Sequence, residues 1–438
     1  MKVFKFGGTS VGSITNMRAV MNLIANGEQK LVVLSAMSGT TNSLVEISDY
    51  LSKKNKESAL GRISSLEKKY YNLVYDLFAT MEMKEKGKKV LEERFDIIKS
   101  YTSGTFTEEG ERAILAQGEL ISTALFTLLM KESGHNAVLL PALDFMKIDS
   151  DKAPDNRFIK EKLNQILKDN SGAEYYITQG FICRNEKNEI DNLQRGGSDY
   201  TATLIGAAIN SQEVQIWTDI DGFHNNDPRY VENTKRVDRL SFSEAAELAY
   251  FGAKILHPQT VLPAKVNNIP VRLKNTMNPS DPGTLITSES KGKGIKAVAA
   301  KDGITAIRIR SGRMLNAYGF MKNVFEIFEY FKTPIDMIAT SEVAVSVTID
   351  NPNRLDEIVT ELKEYGRVVV DKDQTIVCIV GDMIAEEKGF AAKVFTALAG
   401  IPIRMISYGG SRHNISILIE TSDKKATLQA LSEKLLNS

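Results

Sequence analysis

The sequence predicts an α/β protein in two parts: a three-layer αβα domain around a mainly parallel sheet, then two βαββαβ units. Three observations carry this. Residues 1–287 alternate short apolar runs with helical patterns, as in a parallel sheet covered on both faces. Ser288 to Gly294 (Ser-Glu-Ser-Lys-Gly-Lys-Gly) reads as a linker by composition. Beyond it the rhythm changes, and the new pattern occurs twice.

Residues 2–6 are short and alternating, like a strand, and Gly7-Gly8-Thr9-Ser10 breaks them before a helical pattern from about Ser13. Residues 31–36 form a continuous apolar run, the mark of a buried strand. Ser38 to Asn42 is a polar turn into another helix, and residues 43–130 read as mostly helical. Charges such as Glu67-Lys68-Lys69 there read as a solvated face. Strands resume at 137–140, 175–179, 214–218, 269–275 and 283–287.

After the linker, residues 304–310, 335–340, 343–349 and 368–371 read as strands, with helices at 318–331 and 354–364. That is the ferredoxin-like order. Gly319-Phe320 and Val324-Phe325 recur 70 residues later as Gly389-Phe390 and Val394-Phe395, and Pro334-Ile335 recurs 68 later as Pro402-Ile403. The second copy reaches Ser438 without a final strand, and the apolar run 295–300 is expected to fill the gap. The first copy would then be inserted within the second. The expected domains are 1–290, 301–372 and 373–438.

Lysine plus arginine number 55, as do aspartate plus glutamate. No basic excess steers the chain to nucleic acid, so any anion site is local. The two cysteines, Cys183 and Cys378, lack paired spacing, which argues against a disulfide framework or zinc site and suits a reducing compartment. The first residues lack a signal-peptide run, and no stretch approaches about 18 uninterrupted apolar residues. A cytoplasmic protein without membrane partners is expected.

Neither Gly-x-x-x-x-Gly-Lys-[Ser/Thr] nor Gly-x-Gly-x-x-Gly is present, so Walker-type and Rossmann readings lose their support. Lys5-Phe6-Gly7-Gly8-Thr9-Ser10 places a lysine at a strand end before two glycines and a helix. Backbone N–H groups and the helix start could face phosphate there. An ordinary glycine turn with a surface lysine fits as well. In Arg195-Gly196-Gly197-Ser198-Asp199, arginine suits a carboxylate, while Asp199 also reads as a helix N-cap. Trp217-Thr218-Asp219 ends a buried strand, where parallel sheets bind ligands. Asp219 could face a nucleotide or its magnesium. Asp221 and Asp227 read as turn formers, and Trp217 as core. Lys254, in Phe-Gly-Ala-Lys-Ile-Leu-His-Pro (251–258), has an apolar neighbourhood unusual for lysine. His257 before Pro258 reads as structural. Two lysines, one arginine and glycine turns at parallel strand ends suit phosphoryl transfer.

Lys-Phe-Gly-Gly-Thr-Ser (5–10) resembles the opening motif of aspartate kinases, within the amino acid kinase family. The resemblance continues through Val-Leu-Ser-Ala (33–36), Thr41-Asn42, Gln-Gly-Glu (117–119), Arg-Gly-Gly-Ser-Asp-Tyr-Thr (195–201) and Trp-Thr-Asp (217–219). It resumes at Asp-Pro-Arg (227–229), 251–258 and Pro-Gly-Thr-Leu-Ile (282–286), and so covers essentially the whole chain. The two repeats resemble the paired ACT domains of these enzymes. The resemblance implies transfer of the ATP γ-phosphoryl to the side-chain carboxylate of L-aspartate, with Mg2+ accompanying ATP. Lys5 and Lys254 would contact the phosphates, with Gly7 and Gly8 beside them. Asp199 would orient the lysines rather than act as a base, because the substrate carboxylate is already ionised at neutral pH. Arg195 would pair with the substrate α-carboxylate and Glu119 with its ammonium, and Ser35, Thr41 and Ser198 would complete the pocket. Thr218, Asp219, His224 and Arg229 would line the nucleotide. His224 stands where similar enzymes often carry tyrosine, and imidazole can still stack on adenine.

In the first repeat, Met314, Gly319, Phe320, Met321, Asp336, Thr340, Ser341 and Glu342 resemble the effector pocket of lysine-inhibited members. Asp336 and Glu342 would take the ammonium groups of lysine, and Ala317 replaces a serine common there. A homodimer through the ACT repeats is implied, without a homoserine dehydrogenase half. Two other readings stay open from the residues: an amino acid kinase for a different acceptor, and an inactive amino-acid sensor. Lys5, Asp199 and Lys254 together weigh against the sensor.

Overall fold

The computed structural model describes residues 1–193, 196–252, 256–289, 294–314, 318–382 and 386–436. In chain order the elements are β1 (Lys2–Phe6), α1 (Ile14–Ile24), β2 (Lys30–Leu34), α2 (Thr40–Ser52), α3 (Lys56–Leu77), α4 (Met81–Ser100), α5 (Glu108–Glu132), β3 (Ala137–Leu140), α6 (Asn156–Asp169), β4 (Tyr175–Gln179), β5 (Ile182–Arg184), β6 (Ile190–Asn192), α7 (Gly197–Ala208), β7 (Val214–Thr218), β8 (Arg239–Ser241), α8 (Phe242–Tyr250), α9 (Leu262–Val266), β9 (Val271–Asn275) and β10 (Thr284–Thr287). They continue with β11 (Gly294–Arg310), α10 (Phe320–Tyr330), β12 (Ile338–Thr340), β13 (Ala344–Ile349), α11 (Leu355–Leu362), β14 (Arg367–Asp382), α12 (Phe390–Ala397), β15 (Met405–Tyr408), β16 (Asn414–Glu420) and α13 (Lys424–Leu431). The chain forms two compact units, Met1–Gly222 with Leu256–Ser288, and Phe223–Ile255 with Glu289–Ser438.

In the first unit the strands lie in the order β3-β4-β2-β1-β7-β9-β10. All pair in parallel except β10 against β9. The expected mainly parallel sheet is therefore present. Its inner strand β2 is buried along its whole length. Phe4, Phe6 and Trp217 pack ring on ring beside it, with Phe6 and Trp217 stacked at 5.7 Å. Trp217 is thus core, as its sequence context indicated. Helix α5 is long and apolar enough to cross a membrane by length and composition, but 78% of its most apolar window is buried inside the fold. It serves as a core helix here.

In the second unit one antiparallel sheet runs β12-β13-β11-β14-β16-β15. β11 and β14 are long enough to serve both repeats. Residues 305–310 of β11 pair with β13, and residues 306–310 also pair with 367–371 of β14. Ile295, Ala297, Val298, Ala299 and Ala300 pair with Gly381, Val380, Ile379, Cys378 and Val377, next to β16. The ladder shifts register between Lys301 and Ala306, around Gly303 at φ +76°. The sequence analysis treats 304–310 as a strand of the first repeat and 295–300 as a separate run that completes the second. The structure bends one strand instead. Each repeat has its own apolar core, one around Ile307, Val324 and Ile358, the other around Val377, Val394 and Ile417.

Candidate active site

Parallel pairing in register brings the ends of β1 and β2 side by side, so the loops that follow them run together. Ser35 N donates to Phe6 O at 3.2 Å, and Ser38 N to Gly8 O at 3.1 Å. A Cβ on Gly8 would sit 2.8 Å from Ala36 O, closer than a side chain tolerates. Gly8 is therefore required by backbone-on-backbone approach. Gly7 N donates to Trp217 O at 3.3 Å, which sets the same loop against the end of β7.

Two helices begin at this edge. Gly39 caps α2 and Gly196 caps α7, both in the left-handed region (φ +79° and +71°). A glycine cap has no side chain to accept from the first N–H groups of either helix, so the positive ends of both helices can face an anion. The chain then forms a cavity of about 600 Å3. Ser35, Thr41, Glu119 and Ser198 all line it, together with Gly8. The structure thus brings together every described residue assigned to the substrate. Ser35 Oγ donates to Ser198 Oγ at 3.0 Å. Glu119 lies within α5 and is 5% exposed. Ala36 N donates to its Oε1 at 3.1 Å, yet burial still pushes its carboxyl up to about 7.

Beside Gly7, Lys5 Nζ meets Asp199 Oδ1 at 2.6 Å, with side chains 12% and 13% exposed. The N-cap reading of Asp199 does not hold. Gly196 is the cap, and Asp199 sits in the first turn of α7 with its carboxylate on Lys5. Thr218 ends β7 in the first unit and Asp219 follows it, and Thr218 Oγ1 donates to Asp219 Oδ1 at 3.0 Å. His224 and Arg229 belong to the second unit. His224 Nδ1 lies 2.9 Å from Thr234 Oγ1. Arg229 is held by Asp227 at 2.7 and 2.9 Å, and Asp227 also accepts from Arg229 N, the turn role expected of it. Arg195, Lys254 and Ala317 lie outside the described residues.

Met37, Ser38, Asn42 and Phe181 also line the cavity and were given no role from the sequence. The polar turn after the second strand signalled Ser38 and Asn42. Nothing signalled Phe181, whose φ of +69° is unusual for an aromatic residue.

Among the effector candidates, Gly319 caps α10, Phe320 enters the core of the first repeat, and Met314 and Met321 pack at its margin. Thr340 ends β12, and Ser341 N donates to Ala344 O at 2.8 Å in the turn that carries the exposed Glu342. The Asp336 side chain is 1% exposed and already partnered. Lys301 Nζ lies 2.9 Å from its Oδ1 and 2.8 Å from Asp350, and Tyr250 donates to it at 2.7 Å.

A parallel αβα sheet with glycine loops, glycine-capped helices and a partly buried lysine–carboxylate pair at its C-terminal edge defines a phosphoryl-transfer fold. Residues 1–275 match the amino acid kinase family, and residues 377–435 match the ACT domain. The lysine-sensitive aspartokinase 3 of Escherichia coli is 33% identical, over 99% of this chain and 98% of its own. Aspartokinase 2, chloroplastic, of Arabidopsis thaliana is also 33% identical, over 98% and 83%. The crystal structure of E. coli aspartokinase III with aspartate and ADP superposes with a TM-score of 0.85 at 32% identity, covering both chains fully. The same enzyme with lysine and aspartate gives 0.83 at 32%, over 99% of each chain. The chain belongs to the amino acid kinase family. Within that family its place is among the aspartokinases.

Proposed function

We propose that the chain transfers the γ-phosphoryl of ATP to the side-chain carboxylate of L-aspartate, giving 4-phospho-L-aspartate and ADP. One observation carries the reading: Ser35, Thr41, Glu119 and Ser198 share one cavity, at the sheet edge where Lys5 is paired with Asp199. The E. coli relative described with aspartate and ADP supports the same pair of ligands.

In this reading the aspartate ammonium faces Glu119. Its carboxyl, raised by burial, returns to the charged form when a cation arrives. Ser35, Thr41 and Ser198 supply hydrogen bonds, and the helix starts at Gly39 and Gly196 favour the substrate's negative groups. Arg195 is assigned to the α-carboxylate. A substrate carboxylate oxygen attacks the γ-phosphorus, the bond to the β–γ bridging oxygen breaks, and ADP leaves. No proton needs removal, so Asp199 serves by fixing Lys5, whose ammonium offsets charge on the transferred group. Lys254 is assigned a second phosphate contact, and Gly7, Gly8, Thr218, Asp219, His224 and Arg229 the rest of the nucleotide.

A divalent cation, proposed as Mg2+, fits the donors present. Asp219, just after β7, is exposed and sits beside a threonine hydroxyl, the all-oxygen setting such ions take alongside phosphates. When bound it neutralises charge on the β- and γ-phosphoryl oxygens.

The regulatory proposal is feedback by L-lysine at Met314, Gly319, Phe320, Met321, Asp336, Thr340, Ser341 and Glu342, in a homodimer joined through the ACT repeats. Support comes from the lysine-bound E. coli relative. The proposed domains are 1–290, 301–372 and 373–438, the last completed by 295–300. Pairing of that run with β14 supports the completion. Free, buried Cys183 and Cys378 are in keeping with a cytoplasmic site of action. Competition between L-aspartate and L-glutamate tests the substrate assignment, and faster phosphorylation of glutamate refutes it.

A further inference from the structure

Glu244, Asp382 and His413 gather at one place in the second unit, each offering a donor atom within 4.8 Å of the other two. Glu244 opens α8. Its Oε2 accepts from Ser241 N at 2.6 Å and closes a capping box. The residue is 0% exposed, and Oε1 has no hydrogen-bond partner among the described residues. His413 Nδ1 is also shut off from solvent without a partner there. It stands 4.0 Å from Asp382 Oδ1, too far for a hydrogen bond. Buried polar atoms left in this state are costly, and each such case calls for an explanation.

The backbone around them is already fixed. Gly381 N donates to His413 O at 2.9 Å, which holds the end of β14, with Asp382, beside His413 just before β16. One turn along α8, Glu247 Oε2 accepts from Asn414 Nδ2 at 2.5 Å. Three elements that are far apart in sequence therefore present two carboxylates and one imidazole to a common point.

We propose that Glu244, Asp382 and His413 bind one first-row divalent cation of the zinc and manganese class, which pins the start of α8 to the end of β14 and the approach to β16. A mixed oxygen and nitrogen donor set suits these ions, whereas magnesium favours oxygen alone. The buried Glu244 is the fixed ligand. Asp382 and His413, 26% and 24% exposed, have room to rotate toward bonds of about 2.0–2.2 Å. Three protein ligands leave a further position for water. The cation would satisfy both orphaned atoms at once and would be distinct from the one that accompanies ATP.

The test uses full-length protein stripped of metal by chelation, then titrated with ZnCl2 and, as a spectroscopic probe, CoCl2, without nucleotide. The wild type is expected to take up one equivalent, gain a visible cobalt band and melt at higher temperature. His413→Gln and Asp382→Asn are each expected to weaken binding at least about tenfold, the lower end of what loss of an outer partner alone costs. They should melt like the wild type when all are chelated. Nitrogen coupling from a single imidazole in the Mn2+-loaded wild type gives the same answer without a variant. Absence of binding by the wild type, or unchanged affinity in both variants, would overturn the proposal and leave a metal-free histidine–carboxylate network.

Discussion

Lys5 and Asp199 are 194 positions apart in the sequence, yet their side chains meet at 2.6 Å across the end of β1 and the first turn of α7. Neither is placed by its neighbours in sequence. The pair exists because β1 lies between β2 and β7 in a parallel sheet and α7 starts at the same edge. Removing the ammonium by Lys5→Ala is expected to lower kcat by at least about a hundredfold, in line with losing a preorganised charge contact. Asp199→Asn is expected to lower kcat without moving the pH–rate profile, since Asp199 takes no proton. It should also cost about 3 kcal/mol of stability, because a mostly buried charge loses its partner. Turnover, pH profile and urea unfolding of both variants check this, and near-normal turnover of Lys5→Ala would remove Lys5 from the mechanism.

Gly8→Ala is expected to abolish measurable transfer while the protein still folds. The added methyl would press on Ala36 O at 2.8 Å, and backbone cannot swing aside as a flexible side chain can. The loops after β1 and β2 must then separate, which widens the cavity that Gly8 lines. Circular dichroism beside an activity assay distinguishes this from unfolding.

Glu119 links stability to pH. Its folded pKa of about 7 lies above the ordinary value of 4.5. Between those values the folded chain holds a proton that the unfolded chain releases. The contribution is therefore fully present below pH 4.5 and is lost as pH rises through 7. Glu119→Gln removes this dependence and is expected to stabilise the ligand-free protein at pH 8 by up to about 3 kcal/mol. The same change should raise KM for aspartate. Urea unfolding at pH 5 and pH 8 measures the first effect, and steady-state kinetics the second.

Much of this arrangement could be read from the sequence. Apolar runs ended by glycine turns located β1, β2, β4 and β7 to within a residue or two, because a buried parallel strand needs such a run and its loop needs room for backbone contact. The four cavity residues were assigned from motifs before their convergence was visible. What could not be read depends on distant packing. Residues 223–255 join the second unit, where Val231 packs against the core around Val377 and Asn226 donates to Leu428 O at 3.0 Å. Local periodicity carries no record of a partner 202 positions away. The runs 295–300 and 304–310, read apart in the sequence, are one strand, β11, bent at Gly303. The family resemblance implies Asp336 as an ammonium acceptor, but nothing in the sequence points to Lys301, its partner in the fold.

That partner leads to a prediction about regulation. Lys301 occupies Asp336 with its own ammonium, steadied by Asp350 and the ring of Tyr250 at 4.4 Å. An effector ammonium directed to Asp336 would compete with it. Lys301→Met is expected to lower the melting temperature of the effector-free protein by several degrees, since Asp336 keeps a buried charge. Added L-lysine should restore more of that loss than it gives the wild type. Thermal shift with and without L-lysine checks this, and an equal shift in both proteins would remove Asp336 from the effector site.

The most direct measurement is ATP-dependent formation of aspartyl phosphate from L-aspartate, trapped with hydroxylamine, with and without L-lysine. The predicted result is hydroxamate that requires ATP, a divalent cation and aspartate together, and that falls when lysine is added. Absence of hydroxamate from aspartate, under conditions where the protein is folded, would contradict the proposed function itself.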